Sequence, residues 1–218
     1  VLYPPSAVKR WRVHAPVSAS VLARFHVDHP VLAQVLYNRG QDTPEKARMF
    51  LEGGDHALHS PFLMRGMSEA VARIRRAIKQ DELIAIYGDF DADGVTSTAL
   101  LTSVLRGLGG RVRPYIPNRV DEGYGLNADA LDRLKDIGVR LVVTVDCGIR
   151  SVEEVAYGRR IGLDMIVTDP HSVGEELPDA LAVIDPKVDA RLRDEDGMTG
   201  WYPEDMLAGV GVGYNLAD

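Results

Sequence analysis

The chain has 218 residues, of which 45% are hydrophobic and 26% charged, and a formal net charge of −7. That balance suits a globular chain able to bury a sizeable core. Cys147 is the only cysteine, which excludes an internal disulfide or a multi-cysteine zinc site and fits a reducing, cytoplasmic setting. No apolar run approaches the roughly 18–20 residues that cross a bilayer, and VLYPPSAVKRWRVHAPV has no apolar signal-peptide core, so no membrane contact is expected. The acidic balance argues only weakly against a nucleic-acid partner, because carboxylates clustered at a metal site carry charge that cations would offset. Val1 stands where an initiator Met would, so a trimmed start is expected.

Residues 1–17 read as extended and residues 18–80 as helical, in the runs SASVLARFHVDHPVLAQVLYNRG, TPEKARMFLEGG and MSEAVARIRRAIKQ. Thr43 is placed to cap the second run, with Pro44 at its first helical position and two glycines behind it. Ser68 is expected to open the third run. From residue 82 the pattern changes. Apolar strand-like runs at 82–88, 111–116, 140–145, 164–168 and 180–184 alternate with helical runs at 95–108, 127–137 and 151–161. Continuous apolar strands separated by helices imply an α/β fold, a parallel sheet with helices on both faces. The domain division is therefore expected at residue 80/81. RLRDEDGMTGWYPED reads as a loop, and MLAGVGVGYNLAD as the start of a helix in which the sequence ends. Arg73, Arg75, Arg76, Arg159 and Arg160 are expected on solvated helix faces.

The run YGDFDADGVTST carries Asp89, Asp91 and Asp93 at alternate positions, followed by Gly94. This matches the opening of a calcium-binding EF-hand loop, but that loop lies between helices and ends in a glutamate at position twelve. Here a strand precedes the run, and position twelve is Leu100. Strand context points elsewhere, because ligands of open parallel sheets lie beyond the carboxyl ends of the strands. Three strands end in aspartate: IAIYGDFDAD, LVVTVDCG and MIVTDPH. Asp91, Asp93, Asp146 and Asp169 could thus converge, with His171 beside them. Carboxylate and imidazole donors suit Mg²⁺ or Mn²⁺, and two such ions can clamp a phosphate. Against this stands helix capping, which alone accounts for many strand-end aspartates. D-A-D-G-V also matches the nucleophile loop of haloacid-dehalogenase-type phosphatases, although the downstream lysine and acidic pair of that class are poorly matched. Cys147 reads as a small packed residue. In NRVDEGYGLN, Asn118 and Arg119 follow a strand end where an Arg fork suits phosphate, and Tyr124 could stack on a base; a glycine-shaped structural loop is the alternative.

Several runs in order resemble the DHH phosphoesterase superfamily, and within it the single-strand-specific 5′→3′ DNA exonucleases. They are LYNRGQDTPEKARMFL, PFLMRGMSEAVARI, IAIYGDFDADGVTSTALL, PYIPNRVDEGYGLN, LVVTVDCGI, IVTDPHSVGEELPDALAVIDPK and LAGVGVGYNLA. The resemblance implies a DHH-type parallel-sheet domain over residues 81–218, incomplete at its C-terminal end. It also implies a linker helix and a second, DHH-associated domain, and the second domain has no counterpart here. It implies Mn²⁺ or Mg²⁺, two ions in the full-length enzyme, and 5′ mononucleotides released from single-stranded DNA with a 5′ end in DNA repair and recombination. A single-strand-binding protein and a helicase are the implied companions.

By the same resemblance, Asp91, Asp93 and Asp146 are catalytic metal ligands and Asp89 joins the metal site. His171 lies near the scissile phosphate, and Asp169 supports. The third motif departs from the family: Asp169-Pro170-His171 stands where D-H-H is expected, and proline cannot ligate a metal. A fourth-motif aspartate, later than LAGVGVGYNLA, has no counterpart. The 218 residues by themselves are therefore expected to be inactive or impaired. Two other functions remain open, a DHH phosphodiesterase acting on short oligonucleotides or cyclic dinucleotides and a non-catalytic DHH-like module.

Overall fold

The computed structural model describes residues 12–27, 29–53, 59–118, 123, 125–188, 190, 202–204 and 206–218. The chain divides into two compact units, Val1–Leu58 and His59–Asp218. The expected division at residue 80/81 follows the change of pattern. By packing, the last helix of the helical run belongs with the sheet.

In the first unit, α1 (Ala19–Leu22) runs into a 3-10 turn (Ala23–Phe25), followed by α2 (Pro30–Asn38) and α3 (Pro44–Glu52). The first run is not one helix. His26 is left-handed at φ 51°, and Pro30 starts a new helix at its first position, where the missing N–H is harmless. Thr43 caps α3 as expected, its Oγ1 accepting from the Lys46 amide at 3.2 Å. Phe25, Ala33, Leu36 and Ala47 form the small core.

The second unit contains α4 (Met67–Lys79), β1 (Leu83–Gly88), α5 (Ala92–Gly107), β2 (Arg111–Tyr115), α6 (Ala128–Asp136), β3 (Val139–Val145), α7 (Val152–Arg160), β4 (Asp164–Thr168), β5 (Ala182–Ile184) and α8 (Gly209–Ala217). Ser68 does not open α4. Gly66 is the cap and Met67, which is buried, is already helical.

The strands form one five-stranded sheet in the order β2-β1-β3-β4-β5, with every neighbouring pair parallel. Strand periodicity divides the core in two. Ile84, Ile86, Leu141, Val143, Val145 and Ile166 face one side, where Met67, Ile74, Leu101, Leu105, Val212 and Leu216 bring α4, α5 and α8 against them. Ala85, Tyr87, Val142, Met165 and Val167 face the other, against Ala130, Leu131, Leu134 and Val155 of α6 and α7. Right-handed crossovers impose this division: the chain steps one way from β1 to β2 and the other way from β2 to β3, so the connecting helix changes face. The reversal opens a crevice at the carboxyl ends of β1 and β3. No helix among the described residues is long and apolar enough to cross a membrane.

Candidate metal centre

Asp89 leaves the end of β1 and Asp146 the end of β3, the two strands that flank the crevice. Asp91 is the N-cap of α5, and its Oδ1 accepts from the Gly94 amide at 3.0 Å. Asp89 Oδ1 accepts from the Phe90 amide at 2.7 Å. Gly94 is required by packing. A Cβ there would lie 2.5 Å from the Asp89 nitrogen and closer still to its carbonyl oxygen, so only glycine lets the first turn of α5 approach β1. This explains the D-x-D-x-D-G spacing without a calcium loop.

Asp89, Asp91 and Asp146 each offer a carboxylate oxygen, and the three lie within 4.8 Å of one another. Asp93 is not one of this trio. It lies in the first turn of α5, half-buried, with its carbonyl accepting from Ser97 Oγ, although its charge reaches Asp146. Asp146 is 2% exposed, adopts a left-handed backbone at φ 61°, and its Oδ2 is buried without a hydrogen-bond partner among the described residues. Burial, then the charge of Asp91, pushes its carboxyl up to about 7; Asp93 and Asp169 add to this and His171 opposes it. Three clustered oxygen donors, one of them an orphaned buried carboxylate, fit a hard divalent cation. A bound ion would satisfy the orphan and offset the repulsion.

Asp169, at the end of β4, is also 2% exposed but fully engaged. Its Oδ2 accepts from the Ile149 amide at 2.9 Å. Its Oδ1 accepts from the His171 amide at 2.9 Å and from His171 Nδ1 at 2.7 Å. A carboxylate only accepts, so the Nδ1 proton lies toward Asp169. Burial alone would depress the His171 pKa. The hydrogen bond and charge of Asp169, with the charge of Asp146, outweigh it and raise the value. The imidazole is half-exposed and held by its inner nitrogen.

Asn118 is exposed and follows β2, at the same end of the sheet. Arg119 and Tyr124 lie outside the described residues. Gly125 and Asn127 are tied to β1: Tyr87 Oη donates to the Gly125 carbonyl at 2.9 Å, and Asn127 Nδ2 donates to Tyr87 Oη at 3.2 Å. Cys147 is buried and its thiol pKa is raised well above the ordinary value by burial, so it remains a packed neutral thiol.

Sequence reasoning missed a fourth strand-end aspartate. Asp185 follows β5, is buried, and keeps Oδ2 unpartnered among the described residues while Oδ1 accepts from the Lys187 amide at 2.7 Å. Burial pushes it up to about 7, opposed by the Lys187 amide and reinforced by Asp169. The run ALAVID carries the same apolar-then-aspartate signal as the three that were read. Arg73 was also misread. It is buried, not solvated, and pairs with Glu82 and Asp164 at the amino ends of β1 and β4.

The family description "DHH family, N-terminal domain" matches residues 83–218. The chain belongs to the DHH family. More narrowly it is a RecJ-like DHH domain, and the phosphatase reading of D-A-D-G-V falls. The single-stranded-DNA-specific exonuclease RecJ of Bacillus subtilis (strain 168) is 48% identical over 179 residues, covering 82% of this chain and 22% of the relative. The structure of RecJ in complex with Mn²⁺ from Thermus thermophilus superposes with a TM-score of 0.68 at 29% identity, over 95% of this chain and 28% of that one. The corresponding Mg²⁺ complex gives 0.55 at 25% identity, over 95% and 24%. The chain thus spans about a quarter of the length of the RecJ proteins it matches.

Proposed function

We propose that this DHH domain is the metal-holding part of a longer 5′→3′ exonuclease that removes 5′ mononucleotides from single-stranded DNA in repair and recombination. The observation that carries the reading is the orphaned, buried Asp146 carboxylate meeting Asp89 and Asp91 at the sheet's switch point. The similarity to RecJ supplies the substrate class. Asp89, Asp91 and Asp146 would hold Mn²⁺ or Mg²⁺, with Asp93 joining from the first turn of α5. A divalent ion there supplies Lewis-acid charge to a phosphate oxygen and lowers the pKa of water.

The chain's own groups do the rest. Asp146 would hold the cation in its ionised form. His171, anchored by Asp169, presents its outer nitrogen to a non-bridging phosphate oxygen and donates to it when the ring is protonated. Asn118 and Arg119 receive the DNA backbone, and Tyr124 stacks on a base. Pro170, standing where the family has histidine, favours a second reading in which this domain has lost catalytic power and binds without cutting.

The test is a Mn²⁺ titration of this chain, followed by nuclease assays in the longer protein. Asp146→Ala should abolish Mn²⁺ binding and leave the fold intact. Long 5′-phosphorylated single strands should be degraded to mononucleotides in preference to dinucleotides. Pro170→His should raise metal affinity and rate about 10 to 100-fold, the usual effect of restoring a ligand or its support. Unchanged Mn²⁺ affinity in Asp146→Ala would refute the metal assignment, and a preference for dinucleotides the substrate assignment.

A further inference from the structure

Helix α8 reaches the metal centre through a residue with no side chain. A Cβ on Gly209, the first residue of α8, would lie 2.6 Å from Cγ and 2.8 Å from Cβ of Asp146, and nearer still to its Oδ1. Real Cβ atoms essentially never approach non-bonded heavy atoms within 3.0 Å. The other two glycines of α8 differ. A Cβ at Gly211 would find its nearest neighbour, the Leu207 side chain, at 3.3 Å, and one at Gly213 would find its nearest, Ser97 Cβ, at 3.7 Å. Within α8 the demand for glycine is therefore specific to the residue against Asp146.

The surroundings show why this contact matters. The Asp146 amide donates to the Thr168 carbonyl at 3.0 Å, which ties its backbone to β4. Its side chain leaves a left-handed backbone with Oδ2 unpartnered. Among the described residues no hydrogen bond to Oδ2 fixes the direction of the carboxylate, whereas the first turn of α8 closes on its Oδ1 side. The same helix packs through Val212 and Leu216 into the core that holds Leu101 and Leu105 of α5, the helix capped by Asp91. α8 thus links two of the three carboxylates. A helix N-terminus also favours the ionised form of a neighbouring carboxylate.

We propose that Gly209 is a positioning residue for the metal site. Its missing side chain lets the first turn of α8 close on Asp146 and hold that carboxylate toward Asp89 and Asp91. The role rests on the metal reading given above, and the experiment separates the two.

Mn²⁺ affinity by calorimetry and the unfolding temperature without metal are measured on the 218-residue chain. The proteins are the unsubstituted chain, Gly209→Ala, Gly213→Ala, Asp146→Gly and the Gly209→Ala/Asp146→Gly pair. Gly213→Ala should keep its Mn²⁺ affinity. Gly209→Ala should lose at least about tenfold in affinity, the scale expected when the support of a ligand is disturbed. It should also lower the unfolding temperature, and that loss should disappear beside Asp146→Gly, which removes all three clashing atoms and tolerates the left-handed backbone. If Gly209→Ala alone does not fold, the paired variant must. Unchanged Mn²⁺ affinity in Gly209→Ala, or an equal loss of stability in the Asp146→Gly background, overturns the proposal. An unsubstituted chain that does not bind Mn²⁺ overturns the metal reading and Gly209's role toward it, while coupling of the two positions in stability would still stand.

Discussion

Asp146 carries two opposed demands. Burial and the charge of Asp91 hold its carboxyl near 7, yet a cation needs it ionised. Protons and Mn²⁺ should therefore compete near neutral pH. With half-protonation near 7, Mn²⁺ should bind about tenfold more weakly at pH 6 than at pH 8, one proton being displaced per ion at this residue. Without metal the sign is the reverse. A carboxyl raised in the folded state contributes stability that is present below about pH 4, its unfolded value, and is lost as pH rises through about 7. Asp185 acts in the same direction over the same window, and His171, also raised, loses its contribution as pH climbs past its own folded value. Metal-free protein should thus unfold at a lower temperature at pH 8 than at pH 5, and Mn²⁺ should restore more stability at pH 8. Thermal scans at both pH values with and without Mn²⁺ check this, and a flat profile would count against the buried-carboxylate picture.

Among the elements, α4 shows how charge and packing combine. Its apolar face enters the core through Met67, Ala70, Ile74 and Ala77. Its buried Arg73 bridges Glu82 and Asp164, holding the helix to the amino ends of two strands and away from the crevice. Arg76 also reaches Asp164, at 3.4 Å, but is largely exposed. Arg73→Ala should destabilise by about 1–3 kcal/mol, the usual loss for charge-assisted hydrogen bonds whose carboxylate partners can still rehydrate. Arg76→Ala should change stability by less than about 1 kcal/mol, as for an exposed ion pair. Urea unfolding of both variants decides, and equal losses would mean that burial does not set the worth of these pairs. Neither variant should alter Mn²⁺ affinity, because both lie at the opposite end of the sheet.

For the whole molecule, the measure is length. The chain spans about a quarter of the RecJ proteins it matches. Its sheet presents the carboxylates and His171, while the rest of those proteins has no counterpart in it. We expect the 218-residue chain to bind Mn²⁺ but to show little or no degradation of single-stranded DNA. Incubation with a 5′-labelled single strand and Mn²⁺ checks it, and robust release of mononucleotides would show that this quarter suffices.

Local patterns were enough for the parallel sheet, because runs such as LIAIYG and RLVVTV are apolar on both faces and are bounded by helical periods. They were enough also to put Asp91 and Asp146 beyond the carboxyl ends of β1 and β3, because an acidic residue just after a buried strand stands out from its neighbours. Other features depend on neighbours distant in sequence. Arg73 looks like any helix-surface arginine until Asp164, 91 residues away, comes to meet it. Asp185 looks like a turn residue until the sheet buries it. Gly94 resembled part of a calcium loop until α5 closed on Asp89, and Gly209 was one glycine of three in LAGVGVGYNLA until α8 closed on Asp146. Periodicity reports which faces of an element are apolar, whereas the space left beside a glycine or a carboxylate exists only once the elements have packed.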